Sequence, residues 1–312
     1  MGDLVARCAT LAALLEVSAY PKPGNVHRLR DIPGTSFEHF LAGSVSMGPA
    51  IRRLALGGYD VRRGSASWKD IEVGIRILEA TRDTLQWQRG GNVNLGVVLL
   101  FAPLAAAGGS ALYGEGCVDV KELREALKMV THSTTPDDAV AVYEAISLAV
   151  PPKVLGKVEE FDVLDEASVE SIREEGLTLL EIFRRCAPRD SICLEWVTDY
   201  ETTFTIAYPY LKKAVEASGD INSAVVDIFT LLLSKRPDSL IRRKSGLEKA
   251  LEVSERACKI LAEGGASSER GREMLWALDR ELHDAGGRLN PGTTADLTAA
   301  SIFVLLLEGW RP

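Results

Sequence analysis

Pro21-Lys22-Pro23-Gly24-Asn25-Val26-His27-Arg28 interrupts a chain whose other patterns are nearly all helical. Leu4, Cys8, Leu11 and Leu15 recur at helical spacing before it, so the stretch closes a first helix over about 4–19. Two prolines fix φ and remove two backbone donors. Gly24 permits positive φ or close approach to a ligand. The loop is therefore stiff, and it carries a lysine, an amide, an imidazole and a guanidinium. That set suits the anchoring of a small anionic molecule. Helix punctuation alone looks similar, so the surrounding segments must decide.

Working outward, Thr35-Ser36-Phe37-Glu38 has the capping-box pattern and predicts a helix to about Leu56, stopped by Gly57-Gly58. Ser67-Trp68-Lys69-Asp70 starts another, to about Leu85. Leu95 to Ala107 is strongly apolar, too short for a membrane span, and reads as a buried core helix ended by Gly108-Gly109. Asp119 with Glu122 opens a helix to about His132. Thr134-Thr135-Pro136-Asp137-Asp138 opens the next, with hydroxyl caps, proline in the first turn and acids at the positive end of the dipole. Pro151-Pro152 breaks the chain, and 153–166 shows no clear period. Helical patterns return at about 167–186, 191–217, 222–235, 244–264, 267–284 and 294–308, with Pro209 placed to kink or split the second. Alternating strand patterns are scarce. The expectation is an all-α fold of about ten to thirteen helices, one bundle-like domain over 1–312 whose only candidate subdivision lies near 151.

A chain of 312 residues that is 46% hydrophobic can bury a sizeable core. A net charge of −8 argues against a broad nucleic-acid-binding face. It does not exclude a phosphorylated ligand, because a few basic groups gathered in one cleft override the global sign. The cysteines (Cys8, Cys117, Cys186, Cys193, Cys258) are odd in number and form no C-x-x-C pair. They point away from a disulfide framework or structural zinc and toward a reducing, cytoplasmic setting. His27, His39, His132 and His283 match no zinc-protease pattern, and neither a nucleophile elbow nor a P-loop is present. The N-terminus shows no signal-like run, and no stretch is long enough to cross a membrane.

Three further segments join Gly, Asn or Pro to charged groups at a helix start. Arg89-Gly90-Gly91-Asn92-Val93-Asn94-Leu95-Gly96 can expose backbone N–H groups to phosphate. Arg236-Pro237-Asp238-Ser239-Leu240-Ile241-Arg242-Arg243-Lys244 gathers basic groups around one acid, with arginine available for bidentate contacts. Arg288-Leu289-Asn290-Pro291-Gly292-Thr293-Thr294-Ala295-Asp296 offers more than a helix cap needs. Glu16 lies one turn before the first loop and can reach the same cleft; Asp31 and Asp199 are additional acids, while Asp137 and Asp138 read as helix-start acids. Acids beside basic loops suit magnesium held partly through a substrate's phosphates.

Together the segments resemble the triphosphoribosyl-dephospho-CoA synthase family. That family carries a Glu followed by a PKPG loop, a Gly-x-Asn segment before an apolar helix, an Asp-x-x-x-x-Arg cluster and a C-terminal S-P-G-G-x-A-D-L motif. Here they correspond to Glu16 with Pro21 to Val26, Gly90 to Gly96, Asp238 to Arg243 with Gly246, and Asn290 to Leu297, in the same order and over almost the whole chain. The chain departs from the pattern at His27, where the bacterial loop usually has Asp, and at Val93-Asn94-Leu95, where the family has Thr-His-Lys/Arg. The resemblance implies an all-α transferase that moves the 5-triphosphoribosyl group of ATP to the ribose 2′-hydroxyl of 3′-dephospho-CoA or a related acceptor, releasing adenine, in prosthetic-group biosynthesis. On that reading Lys22, Arg28, Arg242 and Arg243 contact phosphates. Gly24, Asn25, His27, Gly91, Asn92, Asn94, Asn290 and Gly292 complete the substrate site. Glu16, Asp238 and Asp296 share the catalytic roles, and Mg²⁺ is held among Glu16, Asp31, Asp199, Asp238 and Asp296. A homodimer is compatible with it. The competing readings are a Mg-dependent hydrolase of a nucleotide or ADP-ribosyl substrate and a non-catalytic nucleotide-binding protein.

Overall fold

A run that is apolar on every side belongs in the middle of a protein, and Leu95–Ala111 is there: every residue of it except Gly96 is buried. In this computed structural model, which describes residues 1–113, 117–150 and 166–312, it is the fifth helix of an all-α fold. The helices are α1 (Gly2–Ser18), α2 (Phe37–Ser46), α3 (Gly48–Arg62), α4 (Val73–Trp87), α5 (Leu95–Ala111), α6 (Val120–His132), α7 (Pro136–Ala149), α8 (Glu166–Glu175), α9 (Leu179–Cys186), α10 (Ser191–Val197), α11 (Tyr208–Ser218), α12 (Ile221–Lys235), α13 (Ser239–Ser245), α14 (Leu247–Ala262), α15 (Glu269–Asp284) and α16 (Gly292–Glu308). A two-residue hairpin, Leu112–Tyr113 with Cys117–Val118, joins α5 to α6. The predicted crossing segment at 153–166 lies almost wholly outside the described residues.

The second central helix is α16, which packs on both α1 and α5. Phe101 and Phe303 meet between α5 and α16 with ring centroids 4.7 Å apart. Pro103 sits inside α5 and cannot bond to the carbonyl of Leu99. The Trp196 indole fills that place, donating to Leu99 O at 3.1 Å, and the Tyr200 hydroxyl donates to Leu100 O at 3.0 Å. The proline thus leaves a buried acceptor that α10 and the turn after it satisfy.

The cap-based predictions hold at Asp119 and Thr135, whereas Ser67 caps only a short 3-10 turn over Trp68–Ile71 and α4 starts after Glu72, whose φ is positive. Asp119 caps α6 and Thr135 caps α7, and buried Asp138 bonds back to Thr135 N at 2.8 Å and across to Gly74 N at 2.7 Å. The first capping box differs in register: Ser36 is the cap and His39 Nδ1, not Glu38, accepts Ser36 N–H.

Two glycine predictions are corrected. Gly57-Gly58 and Gly108-Gly109 end nothing; they lie inside α3 and α5. A Cβ on Gly58 would stand 1.8 Å from Ala106 O, and one on Gly109 would stand 1.8 Å from Ala55 O. These glycines let two helices cross with their backbones in contact.

Several long predicted helices are split. The chain breaks at Met47 before Pro49, at Gly176, and at Gly246, so the described residues hold more helices than expected. The 191–217 pattern breaks at Asp199 and Tyr200, both with positive φ, and Pro209 sits harmlessly in the first turn of α11. The expectation of no disulfide is also corrected at one pair. Cys186 and Cys193 are bonded across the α9–α10 corner, with Cα atoms 5.9 Å apart. No helix among the described residues is long and apolar enough to cross a membrane.

The crossing predicts that Gly109→Ala costs about 3 kcal/mol or more, since the obstruction is backbone rather than a movable side chain. Gly48→Ala, with its nearest neighbour at 3.8 Å, should change stability by less than about 1 kcal/mol. Urea unfolding of both variants checks this; equal losses would refute the close crossing.

Candidate active site

Lys22-Pro23-Gly24-Asn25 folds as a tight turn, with Asn25 N donating to Lys22 O at 3.0 Å. Proline second and a glycine at φ +74° third are the requirements of a type II turn. Gly24 also has no room for a side chain: a Cβ would lie 2.6 Å from Leu282 Cβ. Asn222 of α12 clasps the residue before the loop, accepting Tyr20 N–H at 3.0 Å and donating to Tyr20 O at 2.8 Å. The Tyr20–Pro21 peptide is cis. The whole of 21–27 is buried.

Lys22 is 0% exposed, a rare state for lysine that demands a partner. Its ammonium bonds to the Glu16 carboxylate and to Asn25 Oδ1, the latter at 2.8 Å. Asn25 Nδ2 donates to Asn290 Oδ1 at 2.8 Å, tying the first loop to the last. Burial pushes the Glu16 carboxyl up against the pull of Lys22, and burial likewise pushes the Lys22 ammonium down.

Asp238 caps α13, accepting Leu240 N at 2.8 Å and Ile241 N at 3.0 Å through Oδ1. Its Oδ2 accepts both Thr294 N and Thr294 Oγ1 at 2.8 Å. Four donors fill its acceptor positions, so this acid is a clamp between α13 and α16. Burial still raises it. Ser191 N donates to Ser239 Oγ at 3.2 Å, which sets the start of α10 beside the start of α13.

Asp296 is different. It lies in the first turn and a half of α16, against the start of α5; a Cβ on Gly96 would stand 2.0 Å from its Oδ2. No described residue donates a hydrogen bond to its carboxyl. Burial, then the like charges of Glu16, Asp238 and Asp190, push it well above the ordinary carboxylate range, with Lys22 opposing. A perturbed acid facing other acids where helix starts meet is the mark of a working site.

The structure therefore joins three of the four predicted segments directly and brings in the fourth at Gly96. Asn92 Oδ1 accepts Leu95 N–H at 3.1 Å and Asn94 is buried beside Ser44, so both amides shape the start of α5. Gly91 is exposed next to them, and Thr35 Oγ1 donates to Gly90 O at 2.9 Å. Gly292 packs against Leu240, where a Cβ would be 2.7 Å away. Arg242 Nη1 donates to Pro188 O at 3.4 Å, and Arg243 lies 3.7 Å from Asp190. Arg28 is exposed, with its guanidinium over the Tyr20 ring and Nε donating to Ser18 O at 2.8 Å.

Two acids are not brought in. Asp31 is exposed and accepts Phe37 N–H at 2.8 Å. Asp199 is 3.1 Å from His132 and 3.9 Å from Lys128. Among the described residues, no group of three or more His, Cys, Asp or Glu is placed to cage a metal. Sequence reasoning missed Asp190, a helix cap beside Asp296, and Asp279, discussed below. The available signals were the Asp190-Ser191 cap pattern, and an acid set at helical spacing among Leu275, Leu278 and Leu282.

Residues 3–312 match the family model described as CitG: ATP:dephospho-CoA triphosphoribosyl transferase. The chain belongs to this family. It is 24% identical over 311 residues to a protein of Salmonella typhimurium strain LT2, named a probable 2-(5''-triphosphoribosyl)-3'-dephosphocoenzyme-A synthase 1, covering 97% of this chain and 89% of that one. It is 30% identical over 105 residues, 34% of each chain, to a protein of Escherichia fergusonii named 2-(5''-triphosphoribosyl)-3'-dephosphocoenzyme-A synthase. A crystal structure from Archaeoglobus fulgidus, assigned to triphosphoribosyl-dephospho-coA synthase, superposes with a TM-score of 0.65 at 28% identity, covering 88% of this chain and 100% of that one. The all-α expectation and the family resemblance are both borne out, and the family is one of transferases.

Asp296 supplies a test of the electrostatics. Its folded-state carboxyl binds a proton more tightly than the unfolded chain does, so ionising it costs stability as pH rises above the unfolded value. Asp296→Asn removes that cost. The variant should melt higher than the parent, by a margin that grows as pH rises above about 4; each kcal/mol gained moves Tm by roughly 2–4 °C. Thermal melts across that range decide it, and a lower Tm at pH 8 would show that the carboxyl is well paired.

Proposed function

We propose that the chain transfers the 5-triphosphoribosyl group of ATP to the ribose 2′-hydroxyl of 3′-dephospho-CoA. The N-glycosidic bond to adenine breaks, and a C1′–oxygen bond to the acceptor forms. Adenine gains one proton and the acceptor hydroxyl loses one, so the exchange balances without water. The observation that carries this reading is the meeting of Glu16, Asp238 and Asp296 with the PKPG loop in a member of this transferase family. Family membership gives no support to the hydrolase alternative.

Departure of a purine from an anomeric carbon passes through an oxocarbenium-like state, and the work divides as in glycoside chemistry. Burial and the neighbouring carboxylates push the Asp296 carboxyl well above its usual range, which suits it to protonate leaving adenine. Glu16, held against the Lys22 ammonium, takes the hydroxyl proton. Asp238 is the clamp that sets Asp296 on α16. Lys22 and His27 are buried and act by holding the loop, not by meeting phosphate in the open. Arg28, Arg242 and Arg243 are the cations left to face it.

Magnesium fits this donor set only in company with its substrate. An all-protein cage is absent among the described residues, but Mg²⁺ needs only one or two carboxylates when phosphates supply the rest. Asp190 would hold it, with the triphosphate, and the ion would offset phosphate charge.

Mass spectrometry of reactions with ATP, Mg²⁺ and dephospho-CoA should show free adenine together with the triphosphoribosylated acceptor; adenine without acceptor consumption would support hydrolysis. Asp296→Asn and Glu16→Gln should each lower kcat by about 10²–10⁴. N7-methylated ATP, whose base leaves without needing a proton, should rescue Asp296→Asn and not Glu16→Gln. Equal rescue of both would overturn the division of roles.

A further inference from the structure

Asp279 lies on α15 among Leu275, Leu278 and Leu282, and none of it reaches solvent. Its Oδ1 accepts the Gly24 N–H at 3.1 Å. This amide belongs to the third residue of the type II turn, where the turn itself offers no partner. His283 Nδ1 lies 2.9 Å from the Asp279 main-chain oxygen and 3.0 Å from the same carboxylate oxygen, and His27 Nε2 faces that oxygen at 3.5 Å, a proximity without a hydrogen bond. Arg30 Nη1 approaches Oδ2 at 3.4 Å. His27 Nδ1 accepts Leu29 N–H at 3.3 Å, which leaves its proton on Nε2, toward Asp279. Burial alone would raise the Asp279 carboxyl; the adjacent His27 and His283 imidazoles outweigh it and hold the group far below its usual range.

We propose that Asp279 is a positioning residue for the transfer reaction: through Gly24 N–H and His27 it fixes the turn from which Lys22 and Asn25 hold Glu16 and Asn290. The inference rests on reading that turn as part of the active site. Gly24 N–H and Arg30 donate to its two different oxygens and two imidazoles stand beside it, so a carboxylate suits the place better than an amide.

Asp279→Asn keeps the size and one acceptor oxygen but turns an amide N–H against the imidazole and guanidinium donors. The expected result is a kcat lower by about ten- to a hundredfold, with KM for ATP within about threefold of the parent, because the phosphate-facing arginines are untouched. His27→Ala should lose kcat similarly. His27→Gln should restore most of it, since a glutamine amide can donate toward Asp279 and accept from Leu29 N–H. If Asp279→Asn fails to fold, the His27 pair still decides. An Asp279→Asn enzyme with parental kcat per folded molecule, or a His27→Gln no better than His27→Ala, overturns the proposal. Glu16→Gln separates the two levels: full turnover in that variant would sink the active-site reading itself, whereas a dead Glu16→Gln beside a fully active Asp279→Asn would sink only this inference.

Discussion

A lysine with no solvent exposure bonded to a buried glutamate is the constraint on which the site depends. Withdrawing two ions from water costs several kcal/mol each, and their attraction offsets this only when geometry is good and remaining hydrogen-bond capacity is filled. Asn25 fills part of it for Lys22. The loop must therefore be rigid before the pair can form. Pro23 and Gly24 set the turn, Asn222 grips the backbone at Tyr20, and Asp279 holds the outward amide. The result is a carboxylate whose position is determined in advance of substrate, the condition under which electrostatic catalysis is cheapest.

Asp238 and Asp296 show how one residue type takes opposite jobs from its surroundings. Both are acids near the start of α16, Asp238 buried and Asp296 half-buried. Asp238 receives four donors and serves as a joint. Asp296 receives none from the described residues and is left with an affinity for protons. A protein selected only for stability would not keep it so. Strain of this kind gathers at working sites because activity requires a group that the fold has not already satisfied.

Much of this was legible before the structure. Helix starts at Asp119 and Thr135 follow from side chains that bond their own backbone, a local rule that needs no tertiary knowledge. The all-apolar run at 95–107 could only be a core helix. What failed to read were features whose cause lies elsewhere in space. Gly58 and Gly109 look like stops because the backbone they press against is fifty residues away. The Thr294 donors that make Asp238 a joint between two helices are equally remote, so that structural part of its role does not read from the sequence. The break at Asp199 is dictated by the crossing of α10 over Pro103, where Trp196 and Tyr200 must reach the Leu99 and Leu100 carbonyls.

The same remote pairings answer a puzzle posed by composition. A chain of net charge −8 is asked to hold a triphosphate beside several carboxylates. At this site the carboxylates are individually countered. Glu16 has Lys22, Asp238 has four N–H and O–H donors, and Asp190 has the first amides of α10 together with Arg243. Asp296 receives no such donor from the described residues, and its affinity for a proton is raised. The approaching phosphates favour the protonated form further, since a like charge raises a carboxyl. Substrate binding and protonation of this carboxyl are then coupled, each making the other easier, and under the proposed division of roles that proton is the one adenine needs to leave.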